Sequence, residues 1–216
     1  MPLSGPAVPP RRGETRQLVV LLHGWGANGN DLIGLAGPLQ TTLPQARVSS
    51  PDAPDPCEQN PTGRQWYSLM ERRPERARQG IDRASDMINA WVDSELERLG
   101  LDDRALAFLG FSQGCMMALH VALRRPQPVA AVAGFSGMLI EEESLGREIV
   151  GRPPVFLCHG DADEVVPFAM LHSAVDTLGR HDVPVQWHVS QGTGHGIDPA
   201  SLGFAALFLK NAFRRS

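Results

Sequence analysis

Three residues far apart in the chain carry the functional groups that acyl transfer requires: a serine, an aspartate and a histidine. The serine is Ser112, in Gly110-Phe111-Ser112-Gln113-Gly114, directly after the apolar run Ala105-Leu106-Ala107-Phe108-Leu109 and at the head of a helix-like segment. A tight strand-to-helix turn forces such a serine into a strained backbone conformation with its hydroxyl exposed above the positive end of the helix. Strand and helix come that close only if the flanking positions lack bulk, which accounts for Gly110 and Gly114. The pentapeptide alone is a weak signal, since a glycine-rich turn with a capping serine reads the same way. Its setting between strand and helix favours a nucleophile.

A serine hydroxyl needs a base within hydrogen-bond reach, and the base needs an orienting carboxylate. Seven histidines compete for the base. His195 sits in Gly192-Thr193-Gly194-His195-Gly196, where small neighbours give the ring room. His120 and His172 fall inside helical segments, His188 inside a strand and His181 in a turn. His23 and His159 each precede a glycine at a strand end, where bracing a loop is the commoner role. For the carboxylate, Asp163 is chosen from His159-Gly160-Asp161-Ala162-Asp163-Glu164-Val165-Val166-Pro167, with Asp161 the competitor, for which a bond to its local backbone in an Asx-type turn is the favoured role. The order Ser112, Asp163, His195 is that of the α/β-hydrolase fold. The developing oxyanion needs donors. The N–H of Gln113 supplies one, and Trp25, in the glycine-rich His23–Gly29 stretch, is assigned the other. Asp31 is expected to cap a helix.

These residues need a frame. Residues 17–22 are a continuous apolar run, as suits a central parallel strand buried on both faces. Ala46–Ser50, residues 104–111, Val129–Ala133, Val155–Cys158 and Val185–Val189 read as further strands. Ile81, Ala84, Ile88, Trp91, Val92 and Leu99 share one helical face, and the segment from Gln113 to Arg125 is apolar nearly all round. Leu171, Ala174, Val175 and Leu178 form another stripe, and Asp198-Pro199 opens a last helix carrying Leu202, Ala206, Leu209 and Phe213. Strands alternating with helices predict a mostly parallel central sheet with helices on both faces and the active site at the carboxyl ends of the strands. Residues 51–80 form a long proline-rich loop. Its Trp66-Tyr67 pair reads equally as a pocket wall or as an anchor to the core.

The 216 residues suit a single domain spanning 1–216, with 1–16 as an extended amino-terminal segment. A net charge of −4 argues against a nucleic-acid partner. The three scattered cysteines, Cys57, Cys115 and Cys158, fit neither a disulfide framework nor a zinc site, and suggest a reducing cytoplasm. Neither a signal peptide nor a membrane-spanning stretch is visible, so no integral membrane association is expected.

Leu22-His23-Gly24-Trp25-Gly26-Ala27-Asn28-Gly29, Pro51-Asp52-Ala53-Pro54, Trp66-Tyr67, the Ser112 pentapeptide, His159-Gly160-x-x-Asp163-x-Val165-Val166-Pro167 and Gly194-His195 together resemble the phospholipase/carboxylesterase family, which includes acyl-protein thioesterases and small bacterial carboxylesterases. The likeness runs from about residue 18 to the carboxyl end. It implies a catalytic triad of Ser112, Asp163 and His195, an oxyanion hole from the N–H groups of Trp25 and Gln113, cytoplasmic hydrolysis without a cofactor, and often a homodimer. Two positions depart from the family: Trp25 replaces a common leucine, and Cys115 replaces a common glycine and is expected to pack beneath the turn. Trp66, Tyr67 and Val166 are expected to contact substrate, and Ser136 to line the site. The segment 138–152 is too short for a large lid domain. The expected activity is therefore cleavage of short- to medium-chain carboxylic esters through an acyl-enzyme. An acyl-protein thioesterase or lysophospholipase is the alternative within the same chemistry, and a catalytically silent binding module is the alternative outside it.

Overall fold

The continuous apolar runs become strands buried on both faces, and their alternate residues feed two separate cores. The computed structural model describes residues 3–215. In chain order its strands are β1 (Ala7–Val8), β2 (Gln17–Leu22), β3 (Ala46–Ser49), β4 (Asp55–Pro56), β5 (Arg64–Gln65), β6 (Leu106–Phe111), β7 (Ala131–Phe135), β8 (Val155–Gly160) and β9 (Val185–Ser190). Its helices are α1 (Gly29–Ile33), α2 (Ala36–Thr42), α3 (Pro74–Leu99), α4 (Gln113–Arg124), α5 (Glu142–Glu148), α6 (Ala169–Arg180) and α7 (Pro199–Phe213). Seven strands form one sheet in the order β1-β3-β2-β6-β7-β8-β9. All neighbours are parallel except the antiparallel β1–β3 pair. The short β4 and β5 pair separately, as an antiparallel ribbon.

Leu18, Val20, Leu22 and Phe108 face one core, completed by α3, α4 and α6. Val19, Leu21, Ala107 and Leu109 face the other, completed by α1, α2 and α7. This is the period-two alternation of a strand with both sides covered. The 26-residue α3 begins with Pro74, whose missing N–H costs nothing in a first turn, and ends at Gly100 in the left-handed conformation, φ 65°. Its buried face runs Ile81, Ala84, Ile88, Val92, Leu96. Helix α4 lies beneath the sheet's carboxyl end and is buried at Gln113 through Leu123, as its all-round apolarity predicts.

The fold is a single α/β domain of the expected class. Within the amino-terminal segment, Ala7 and Val8 pair with Ser49 and Val48 as an edge strand. Two local readings change. The fourth predicted strand shifts two residues, from Val129–Ala133 to Ala131–Phe135, because the ladder to β6 sets its register. The long loop contains the β4–β5 ribbon and the first turns of α3. Among the described residues, no helix is long and apolar enough to cross a membrane.

Candidate active site

The site gathers at the carboxyl ends of β2, β6 and β8. Ser112 joins β6 to α4 with φ 52° and ψ −120°, a left-handed strain that a non-glycine residue holds only when its surroundings over-determine it. The glycines show why. A Cβ on Gly110 would lie 2.3 Å from the Gly114 carbonyl oxygen, and one on Gly114 would lie 1.9 Å from the Leu22 carbonyl oxygen. The Ser112 backbone is pinned by its N–H to the Phe135 carbonyl at 2.9 Å and its carbonyl to the Met116 N–H at 3.1 Å. Its side chain makes no cap bond to α4.

Asp163 follows β8 with its side chain wholly buried. Oδ1 accepts the N–H groups of Val165 and Val166, each at 2.9 Å. Oδ2 accepts His195 Nδ1–H at 2.8 Å. Burial pushes the carboxyl pKa up, but the bonds from His195 and from the Val166 and Val165 N–H groups outweigh it and hold the group below the ordinary carboxylate value. With Nδ1 donating, a neutral imidazole leaves Nε2 as its proton acceptor. The ring of His195 packs against Phe111, the residue before the serine, with centroids 4.9 Å apart. Among the described residues no hydrogen bond joins the Ser112 hydroxyl to His195.

Two further residues hold these parts. His159 Nε2 lies 2.9 Å from the Val166 carbonyl and 3.3 Å from Asp163 Oδ2. Both neighbours are acceptors, so Nε2 carries the proton. Asp161 does not make the local turn expected of it. Its Oδ1 reaches across the chain to the Gly192 N–H at 2.6 Å and ties down the His195 loop. That loop lies directly on β8, since a Cβ on Gly160 would stand 2.1 Å from the Thr193 carbonyl oxygen. Proximity in sequence could not have shown the Asp161–Gly192 contact.

The residues assigned to the oxyanion hole flank the serine. A Cβ on Gly24 would be 3.4 Å from Ser112 Cβ, so the loop that carries Trp25 runs against the elbow. Gln113 opens α4, where the first N–H groups have no partner within the helix. The Trp25 indole N–H donates to Gln65 Oε1 at 2.9 Å, linking this loop to the β4–β5 ribbon. Asp31 completes a capping box with Asn28, as expected.

The residues expected to contact substrate are placed differently from one another. Trp66 is fully buried, with its indole N–H on the His23 carbonyl at 2.9 Å, so it is an anchor and not a pocket wall. Val166 is buried, and its backbone is occupied with Asp163 and His159. Its neighbour Val165, 67% exposed, is the residue that presents an apolar side chain. Tyr67 sets its hydroxyl 3.2 Å from Met116 Sδ and lines an open cavity of about 450 Å³ together with Met70 and Arg76. Ser136 is buried beneath the His195 loop, with φ 47° and Oγ 3.5 Å from the Gly196 carbonyl. Cys115 is packed beneath the elbow: a Cβ on Gly134 or Gly137 would come within 2.5 or 2.6 Å of its sulfur, and burial pushes its thiol up to about 12.

Comparison with known proteins bears on the family and the fold. A family model described as Phospholipase/Carboxylesterase matches residues 3–213. Esterase YpfH of Escherichia coli (strain K12) is 28% identical over 190 residues, covering 88% of this chain and 80% of that protein. The crystal structure of esterase PE8 superposes with a TM-score of 0.92 at 37% identity, over 98% of this chain and all of the other. Acyl-protein thioesterase 2 of Zea mays shares the fold, with a TM-score of 0.78 at 22% identity over 96% of this chain and 97% of that one.

Proposed function

Because the chain belongs to the phospholipase/carboxylesterase family, we propose that Ser112, Asp163 and His195 are the catalytic triad of this serine hydrolase, and that the N–H groups of Trp25 and Gln113 form its oxyanion hole. The protein is an enzyme that cleaves carboxylic esters. The observation that carries the residue assignment is the 2.8 Å bond from His195 Nδ1 to the buried Asp163 carboxylate, beside a serine in a strained elbow.

In this reading substrate binding closes the Ser112–His195 hydrogen bond. Ser112 Oγ attacks the ester carbonyl carbon as its proton passes to His195 Nε2. The carbonyl oxygen takes up the negative charge between the two backbone N–H groups. Asp163 holds the ring and stabilises its charged form. The intermediate collapses, the C–O bond to the alcohol breaks, and His195 returns the proton to the leaving alcohol. Water, deprotonated by the same nitrogen, then attacks the acyl-serine, which releases the acid and restores the hydroxyl.

The reading extends to short- and medium-chain acyl groups and to a cytoplasmic enzyme, the latter supported by three free, buried cysteines. It includes a homodimer, supported by Trp187, Phe204 and Leu207 standing exposed beside the open edge strand β9. A monomer mass in sedimentation equilibrium would remove that part. No nucleic-acid partner is included, consistent with the net charge of −4.

The test is labelling with a fluorophosphonate probe. The parent should label and Ser112→Ala should not, with turnover of the variant lower by about a million-fold, by analogy with triad deletions in other enzymes. Retained turnover in Ser112→Ala would refute the assignment. Equal efficiency on an S-acyl peptide would favour the thioesterase alternative.

A further inference from the structure

Trp66 has no exposed surface, and its two N–H groups each lead towards one of the two proposed oxyanion donors. Its backbone N–H donates to Gln113 Oε1 at 3.0 Å, and Gln113 Nε2–H donates to the next carbonyl, that of Tyr67, at 2.8 Å. Gln113 is thus held by two backbone groups of the 51–80 loop, and its own N–H is the donor next to the nucleophile. On its other side the Trp66 indole N–H donates to the His23 carbonyl at 2.9 Å, and the two rings lie 5.3 Å apart.

From His23 the contact passes to the second donor. The Ala53 N–H donates to His23 Nε2 at 3.0 Å, so the ring proton is on Nδ1, which donates to the Gly24 carbonyl at 2.8 Å. Burial lowers the pKa of His23, in keeping with a neutral ring. That carbonyl and the Trp25 N–H belong to one peptide unit. The unit is planar and trans, so fixing its C=O fixes the direction of its N–H. Trp66 therefore bridges the start of helix α4 and the loop after β2, through its backbone N–H on one side and its indole N–H on the other.

We propose that Trp66 is a positioning residue for the oxyanion hole, a strut that sets the spacing between the Gln113 and Trp25 N–H groups. The proposal rests on the assignment of those two donors. The strut acts when charge develops on the carbonyl oxygen, and both acylation and deacylation pass through that state. Its loss should therefore lower kcat whichever step is slower, and leave ground-state binding nearly unchanged.

The experiment uses Trp66→Phe, which keeps an aromatic ring and the backbone bond to Gln113 but deletes the indole N–H. Turnover of a p-nitrophenyl ester is measured well below the melting temperature, normalised to the folded fraction. The expected result is a kcat lower by about 10- to 100-fold, the scale of a misplaced or weakened donor. KM should stay within about twofold, since uniform binding is untouched. The rate of fluorophosphonate labelling should fall in parallel, and the acid limb of the pH–rate profile should stay in place because the triad is unaltered. Gln113→Met, which removes the other end of the strut, should give the same signature, and it carries the test if Trp66→Phe does not fold. The double variant should lose less than the product of the two single losses. A Trp66→Phe enzyme that melts earlier but turns over at the parental rate would reduce Trp66 to a structural residue and overturn the proposal. So would a change confined to KM, or a shifted acid limb. If the parent itself does not label, or if Ser112→Ala still labels, the functional reading fails instead.

Discussion

At the scale of single residues, the site depends on which atoms are left free as much as on which are bonded. Both oxygens of Asp163 are engaged: Oδ1 by two backbone N–H groups and Oδ2 by His195. In Asp163→Asn the amide oxygen can still accept those backbone donors. The amide then presents its NH₂ group to His195, so the ring must place its own proton on Nε2 to offer Nδ1 as acceptor. Asp163→Asn should therefore fold as the parent does and lose on the order of 10⁴ in kcat, as a wrong-tautomer triad does elsewhere. Steady-state kinetics beside a melting curve would check this, and unchanged kcat would exclude Asp163 as the orienting group. The proposed serine, histidine and aspartate could be picked out of the sequence because each sits where the local backbone has special needs: glycines around an elbow, a small-residue loop, a strand end. Trp66 could not. An aromatic residue in a long loop reads the same whether it faces a pocket or the core, and only burial separates the two.

At the scale of elements, short connections carry much of the positioning. Helix α7, which covers one face of the sheet, starts at Asp198, whose Oδ1 accepts the N–H groups of Ala200 and Ser201 at 2.9 and 3.0 Å. Its Oδ2 accepts the Ser190 hydroxyl at 2.5 Å, which ties the helix start to the end of β9. Burial raises the carboxyl pKa, but the hydrogen bonds from Ser190, Ser201 and the helix N–H groups prevail and hold it well below the usual range. A carboxylate so depressed stabilises the fold fully above its unfolded pKa, and this contribution is lost as pH falls through the lower folded value. Asp198→Ala should cost about 1–2 kcal/mol at neutral pH, the usual worth of such a cap. The melting-temperature gap between variant and parent should narrow below about pH 4, where ordinary aspartates protonate. Thermal melts across pH would check this, and a gap that widened in acid would contradict it. The cap itself was legible as Asp198-Pro199, but the bond to Ser190 was not, because it depends on how β9 ends beside the helix.

At the scale of the whole molecule, the question is whether anything closes over the serine. The 138–152 segment carries only the seven-residue α5, and that helix is tied down. Arg78 on α3 reaches Glu141 at 3.1 Å and Glu148 at 3.0 Å, and Arg124 on α4 reaches Glu148 at 2.8 Å. These pairs are partly shielded and form a network, the arrangement in which ion pairs hold geometry best. A segment so fastened to two helices of the core is poorly suited to swing as a lid. A series of p-nitrophenyl esters should accordingly give the highest kcat/KM at short to medium acyl lengths, with little turnover of long-chain triglyceride. A steady rise toward triglyceride would contradict an open, lidless site.

By itself the sequence determined the class of fold, the order of the parts and the chemistry they can perform. Apolar runs dictate buried parallel strands, and glycine spacing dictates where strand and helix can touch. Those are local steric demands, written in neighbouring residues. Only the tertiary structure decided that Asp161 steadies Gly192 across 31 positions, and that Trp66 lies inside the core between the two proposed oxyanion donors. Such contacts form between groups that share no local pattern. They follow from which strand ends the sheet places side by side, and from the need of every buried N–H and C=O to find a partner there.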